Sequence, residues 1–430
     1  MLGLGFGDCG KGLFTDFLSR HWQAHTVVRF NGGAQAGHNV VLPDGRHHTF
    51  SQFGAATFQP GVFTVLAAPV VVHPTALQVE QQALQRVGVH DAMARLVVDA
   101  RCRVTTPFHQ AAGRLREGIT GHGSCGVGVG ETVRQAIAAP ELALRYGDLL
   151  DTGDALAKLD ALRARLCSEF AAFAPLDNAA AQEHALLHDP TVAGRWLAIA
   201  QNAVRQAPPA DPDEIATRLT RPGTVLFEGA QGVLLDEWRG FHPHTTWSGI
   251  STAAVEAVLE DLGIASPVRH LGVLRSYLTR HGAGPLPTAD AVLDRLHEPH
   301  NADDGWQGAF RRGHPDAVLL RYALDAVGPI DGLVASHLDV FDRVEGLRWC
   351  NAYRLSSSPT LTTLPLSVEP DLAHQTGLTQ MLCAAEPMYD AGLITTTQAW
   401  IEQVKALSGL CVHWTSSGPT HEAISARAPL

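Results

Sequence analysis

The chain lacks the marks of several protein classes. Its seven cysteines (Cys9, Cys102, Cys125, Cys167, Cys350, Cys383 and Cys411) are an odd number, scattered singly with no CxxC pair. That usage excludes a disulfide framework and points to a reducing, cytoplasmic compartment. No run approaches the roughly 18 apolar residues of a membrane span, and the opening MLGLGFGDCGKG has neither a basic stretch nor a cleavage site, so membrane and secretion drop out of the reading together. Positive charge is in deficit: 32 Lys plus Arg face 43 Asp plus Glu, a formal net charge of −11. Such a chain has no electrostatic footprint for wrapping a nucleic-acid backbone, although a local pocket can still hold a small anion.

What is present is a globular composition, with 45% hydrophobic and 17% charged residues over 430 positions. Disorder is excluded for the bulk of the chain. Short β-branched runs at 27–30, 62–68, 96–99, 225–228, 268–274, 333–339 and 347–353 are separated by longer stretches rich in Ala, Leu, Gln and Arg. That alternation predicts an α/β fold, a large mostly parallel sheet flanked by helices. Residues 153–207 are almost free of Gly and Pro, carry Leu or Ala at helical spacing and end at Pro208 and Pro209. They read as a helical subdomain within a single domain spanning 1–430. Stretches 42–63 and 285–313 read as long loops, the second as a mobile substrate loop. Only Met1 and Leu2 precede Gly3, so either the first strand is very short or the chain begins downstream of its natural start.

Chemistry concentrates in four Gly-rich turns. The first packs Gly3, Gly5, Gly7, Gly10 and Gly12 around Asp8, Cys9 and Lys11, then enters an amphipathic segment. Glycines let backbone N–H groups approach an anion, the helix N-terminus favours negative charge, and a lysine there pairs with phosphate oxygens. The turn departs from the usual P-loop because Gly12, not Ser or Thr, follows Lys11. The others are residues 31–38, closing on His38, then 121–130 and 227–232. Together they suggest a ligand lying across the C-terminal ends of a parallel sheet.

The ordered segments GDCGKG, VVRFNGGAQAGHNVV, FEGAQGVLLD, SYLTRHGAGPLPT, SHLDVFD and TSSGPT resemble the adenylosuccinate synthetase family, from Gly3 to about Glu422. The resemblance implies a P-loop-NTPase-like core and a GTP-dependent ligase that phosphorylates the 6-oxygen of inosine monophosphate and then lets the aspartate amine displace phosphate. It implies Mg²⁺ as cofactor, small-molecule partners and a homodimer. Carried over by residue, Asp8 is the base and His38 the acid, and Asp8 with Gly37 holds the metal. Gly7, Gly10, Lys11, Gly12, His337, Asp339, Ser416 and Gly418 take the GTP. The acceptor goes to Gln35, Cys125, Gln231, Thr246 and His281, and Arg311 and Arg312 remain in the amine-substrate loop.

The departures from the family pattern fall mainly on the acceptor side. An acid becomes Cys9, a lysine stem becomes His337, a phosphate-binding asparagine becomes Gln35, a threonine aligns with Cys125, and a partner-lent arginine aligns near Glu141. The aspartate loop reads Asp303, Asp304, Gly305, Trp306, Gln307, Gly308, Ala309, Phe310, Arg311, Arg312, with two arginines where the family has four. Two arginines can still clamp one carboxylate or phosphate. These changes open a second reading, the same GTP and Mg²⁺ chemistry on another carbonyl acceptor or amine. A third is a non-catalytic nucleotide-binding relative, against which stands the retention of Asp8, Lys11, His38 and Asp339. His297, Glu298, Pro299 and His300 look like a metal cluster but lack HExxH spacing.

Overall fold

The computed structural model describes residues 1–121, 123–175, 177–298, 301, 306, 308–355 and 358–430. Four strands lie side by side and parallel: Leu2–Gly3, Leu271–Arg275, Gly332–Ser336 and Val412–Ser416, with Ile424–Ala426 antiparallel on the outer edge. A second parallel set runs Val225–Glu228, Thr26–Arg29, Phe63–Leu66, Leu96–Asp99 and Pro209–Ala210. The sets join at the N-terminus, where the Met1 amine donates to the Phe227 carbonyl at 2.7 Å and Gly229 N–H donates to the Met1 carbonyl at 3.1 Å. Val27, Val28, Val65, Val98, Val273, Leu333 and Val334 are buried, as expected of strands covered on both faces. The fold is thus α/β with a mostly parallel central sheet.

Helices Thr152–Glu169, Asn178–His188 and Val192–Gln206 occupy most of 153–207. Asp151 and Asp177 cap the first two by accepting N–H groups of the opening turn. Leu159, Leu162, Leu166, Trp196 and Leu197 face a second core shared with helix Pro107–Thr120.

Several sequence readings are corrected. The run 347–353 belongs to strand Leu347–Leu355, which sits in a separate three-stranded antiparallel sheet. The run 333–339 breaks after Ser336: His337 takes a φ of 60°, and Leu338–Asp342 forms a 3-10 turn. The stretch 42–63 is not all loop, because His38–Val41 and His47–Phe50 pair as a hairpin reaching into it. Within 285–313, Ala291–Arg295 is a 3-10 turn, and Phe310–Gly313 is a strand paired with Leu278–His281. Pairing of backbone groups, invisible in composition, makes the difference. The first strand is only two residues long.

Candidate active site

The N-terminal turn leaves strand Leu2–Gly3 and enters helix Lys11–His21 through Gly10, whose φ of 83° lies in the left-handed region. No side chain caps that helix, so its first N–H groups are free to receive an anion. Asp8 is held at φ 49°. A Cβ on Gly12 would stand 2.9 Å from both the Asn39 carbonyl and the His38 Cβ, so this glycine lets the first turn press against the second. Lys11 is buried, and its ammonium donates to the Gln231 carbonyl at 2.5 Å. Gly232 packs equally close, since a Cβ there would be 2.2 Å from the Gly5 carbonyl. Three of the four Gly-rich turns therefore converge.

Two lobes open from this junction. One, about 1240 Å³, is lined by Cys9, Gly10, Gly12, Arg275, Glu298, Ser336, His337, Asp339, Arg343, Ser416, Gly418 and Pro419. The other, about 1010 Å³, is lined by Gly7, Gln35, Gly123, Gln231, Thr246, Arg280, His281 and Asn301. Asp8, Lys11, Gly37, His38, Asn39 and Asn301 line both.

His38 is buried, and its Nδ1–H donates to Glu228 Oε1 at 2.5 Å. Burial pushes the imidazole pKa down to about 4 against the pull of Glu228, so the ring is neutral at physiological pH. Burial alone would raise the Glu228 carboxyl. His38, Arg29 and the Ala55 N–H, 3.0 Å from Oε2, hold it below its ordinary value instead. Glu228 went unnoticed in the sequence, although it is the only acid in FEGAQG.

In the larger lobe, Asp339 meets Arg343 at 3.4 Å. Burial, with Arg275 and Arg343 nearby, keeps His337 neutral. Ser416 Oγ donates to the Gly418 carbonyl at 2.7 Å and closes the final turn. Gln35 and Gln231 line the smaller lobe, and their amide oxygens are buried without a protein partner. The Thr246 hydroxyl donates to the Leu235 carbonyl at 3.0 Å. His281 Nε2 lies 3.7 Å from Asp8 Oδ2, its ring against Phe310.

Other expected residues sit elsewhere. Gly123, not Cys125, lines the lobe, and burial raises the Cys125 thiol pKa. Arg311 and Arg312 lie on a strand, not in a loop. Arg311 Nη2 donates to the Gly282 and Gly284 carbonyls, and Arg312 Nη1 donates to the Phe310 carbonyl. The arginine on the wall of the smaller lobe is Arg280, in register with Arg311. It holds the carbonyls of Ala283, Pro285 and His244, and burial pulls its pKa down to about 9. Glu141 is exposed. Pro299, His300, Asp303, Asp304, Gly305 and Gln307 lie outside the described residues.

The adenylosuccinate synthetase family model matches residues 1–425. The chain belongs to the adenylosuccinate synthetase family. It is 30% identical to the adenylosuccinate synthetase of Proteus mirabilis, covering 100% of this chain and 98% of that one. It is 31% identical to the enzyme of Ectopseudomonas mendocina over the same shares. The fold is similar to that of the fully ligated Plasmodium falciparum adenylosuccinate synthetase, with a TM-score of 0.81 at 21% identity over 99% of both chains. The cyanophage S-2L succinoaminodeoxyadenylate synthetase gives 0.60 at 16% identity, covering 99% of this chain and 93% of that one. As a family member the chain is a ligase that forms a carbon–nitrogen bond with use of GTP. No helix among the described residues is long and apolar enough to cross a membrane.

Proposed function

We propose that this chain joins L-aspartate to inosine monophosphate with cleavage of GTP, yielding adenylosuccinate, GDP and phosphate on the route to AMP. The observation that carries this reading is the wall of Asp8, Lys11, Gly37 and His38 shared by two lobes. A phosphoryl group on a nucleotide in one lobe reaches an oxygen in the other across that wall.

The purine 6-oxygen is a poor leaving group, and phosphorylation splits one hard displacement into two easier ones. Asp8 takes the N1 proton as the 6-oxygen attacks the γ-phosphorus of GTP. Lys11 and the open helix N-terminus hold the negative charge that moves onto GDP. The aspartate amine then attacks C6, and the 6-oxygen departs with the phosphoryl group as inorganic phosphate. His38, neutral at rest and backed by Glu228, can take up a proton as anionic charge gathers beside it.

Asp8 supplies one hard carboxylate and Gly37 a backbone carbonyl, and no cluster of three or more His, Cys, Asp or Glu competes for a metal among the described residues. That donor set fits Mg²⁺, which binds through one or two carboxylates together with substrate phosphates and water. When bound, the ion neutralises charge on the transferring phosphoryl group.

In this reading Asp339, which borders the larger lobe with His337, Ser416 and Gly418, accepts the N1 and N2 protons of guanine, and His337 stacks on the base. Gln35, Gln231, Thr246 and His281 face the nucleotide acceptor. Arg280 supports that lobe, while Arg311 and Arg312 brace the chain beside it. The working form is a cytoplasmic homodimer, and seven unpaired cysteines suit a reducing compartment. A changed acceptor is not favoured, since the family match spans almost the whole chain. Incubation with GTP, Mg²⁺, inosine monophosphate and aspartate should release phosphate and form adenylosuccinate only when all are present. Phosphate release that ignores either substrate would overturn the reading.

A further inference from the structure

Arg275 is a buried charge that the steps above do not use. It ends strand Leu271–Arg275, is only 7% exposed, and borders the larger lobe. Its Nη1 donates to the Asp8 carbonyl at 2.9 Å. Its Nη2 reaches the Tyr277 hydroxyl and Glu298 Oε1, and its Cζ lies 4.2 Å over the Tyr277 ring. Tyr277 is itself buried and donates to the same Glu298 oxygen. A guanidinium out of water needs strong partners. Here Glu298 and Tyr277 fix one side of it and leave Nη1 directed at a single backbone carbonyl.

That carbonyl belongs to a residue in the left-handed region, with φ 49°, a conformation that a non-glycine residue keeps only when its surroundings impose it. The next peptide is held in the same way, for Ser336 Oγ at the end of the neighbouring strand donates to the Cys9 carbonyl at 2.9 Å. A planar peptide whose C=O is fixed has its N–H fixed as well. With both carbonyls tied to adjacent strand ends, peptides 8–9 and 9–10 cannot turn over, and the Asp8 side chain leaves the backbone in one direction.

We propose that Arg275 is the positioning residue for Asp8, holding the base through its backbone carbonyl without touching the reacting atoms. This rests on the reading of Asp8 as the base. The rival role is a direct nucleotide contact, because Arg275 also borders the lobe that would take GTP, and the two roles separate kinetically. In Arg275→Met, kcat should fall about 10- to 100-fold with the KM for GTP within about threefold of wild type, as for misplacement of a catalytic group. Arg275→Lys should recover part of the loss, since an ammonium can reach the carbonyl but cannot also bridge to Glu298. Added to Asp8→Asn, Arg275→Met should lower residual turnover by less than about threefold, because two changes acting on one group are not additive.

Circular dichroism and the thermal midpoint establish that each variant is folded. A folded Arg275→Met with wild-type kcat overturns the proposal, and so does a rise in KM for GTP with kcat unchanged. If Arg275→Met does not fold, wild-type kcat in Arg275→Lys overturns it. Wild-type turnover in Asp8→Asn removes the reading beneath it, an outcome distinct from an inert Asp8→Asn beside a fully active Arg275 variant.

Discussion

The larger lobe meets the ends of three parallel strands, whereas the smaller one is bounded by antiparallel hairpin strands and by loops. Arg275, Ser336 and Ser416 are the last residues of three neighbouring parallel strands, and the Gly-rich turn follows a fourth. The smaller lobe instead takes its residues from segments held by side chains gripping backbone. Glu117 accepts the N–H groups of Gly123 and Ser124 at 2.6 and 3.1 Å, and Arg280 holds three carbonyls. Buried polar atoms without a protein partner occur on both sides, Arg275 Nε at the larger lobe and the Gln35 and Gln231 amide oxygens at the smaller. Strand ends are fixed by the sheet, so charge aimed at a phosphate is preorganised before any ligand arrives.

The sharpest way to break this contrast is at the shared wall. Asp8→Asn should cost about 10² to 10⁴ in turnover, the usual toll of losing a general base, with the thermal midpoint little changed. Turnover above half of wild type would remove Asp8 from its role. Glu228→Gln tests the support behind the wall, because a neutral amide cannot favour a protonated His38 ring. A loss of about 10- to 100-fold in kcat is expected, up to the lower end of what a general acid contributes, and steady-state kinetics on the folded variant checks it.

On the strand-built side, Asp339→Asn should erode preference for GTP over ATP by about 1 to 3 kcal/mol, the cost of an unpaired buried polar group. Competition between the two nucleotides measures this, and an unchanged ratio would show that guanine is selected elsewhere. The smallest effect concerns stability. The folded His38 pKa lies near 4 while an unfolded histidine titrates near 6.5. The unfolded state therefore binds more protons between these values, and stability falls as pH drops through that window. Relative to His38→Asn, the wild type should lose about 1 to 2 kcal/mol more between about pH 6.5 and about pH 5, read by urea unfolding at each pH.

Much of the strand-built lobe was legible in advance. Glycines around Asp8 and Lys11 carry their meaning locally, because a glycine-rich turn shows its left-handed backbone in its residues, whereas the break at His337, with φ 60°, was hidden in a run that reads as strand. The loop-built lobe was less so. Cys125 and Gly123 are two residues apart, yet only the latter reaches the lobe wall. Arg280 and Arg311 face each other across a hairpin, and their shares in the lobe depend on register, not on residue type.

The sequence by itself determined the alternation of strands and helices, the phosphate turn and the chemical character of the junction, since propensity and turn chemistry act over a few residues. The tertiary structure decided which groups work together. His38 and Glu228 lie 190 residues apart in the chain and 2.5 Å apart in space, and Arg275 reaches Asp8 from 267 residues away. Those pairings follow from strand order in the sheet, and strand order is set by the burial of all the strands together, so no single segment can announce it.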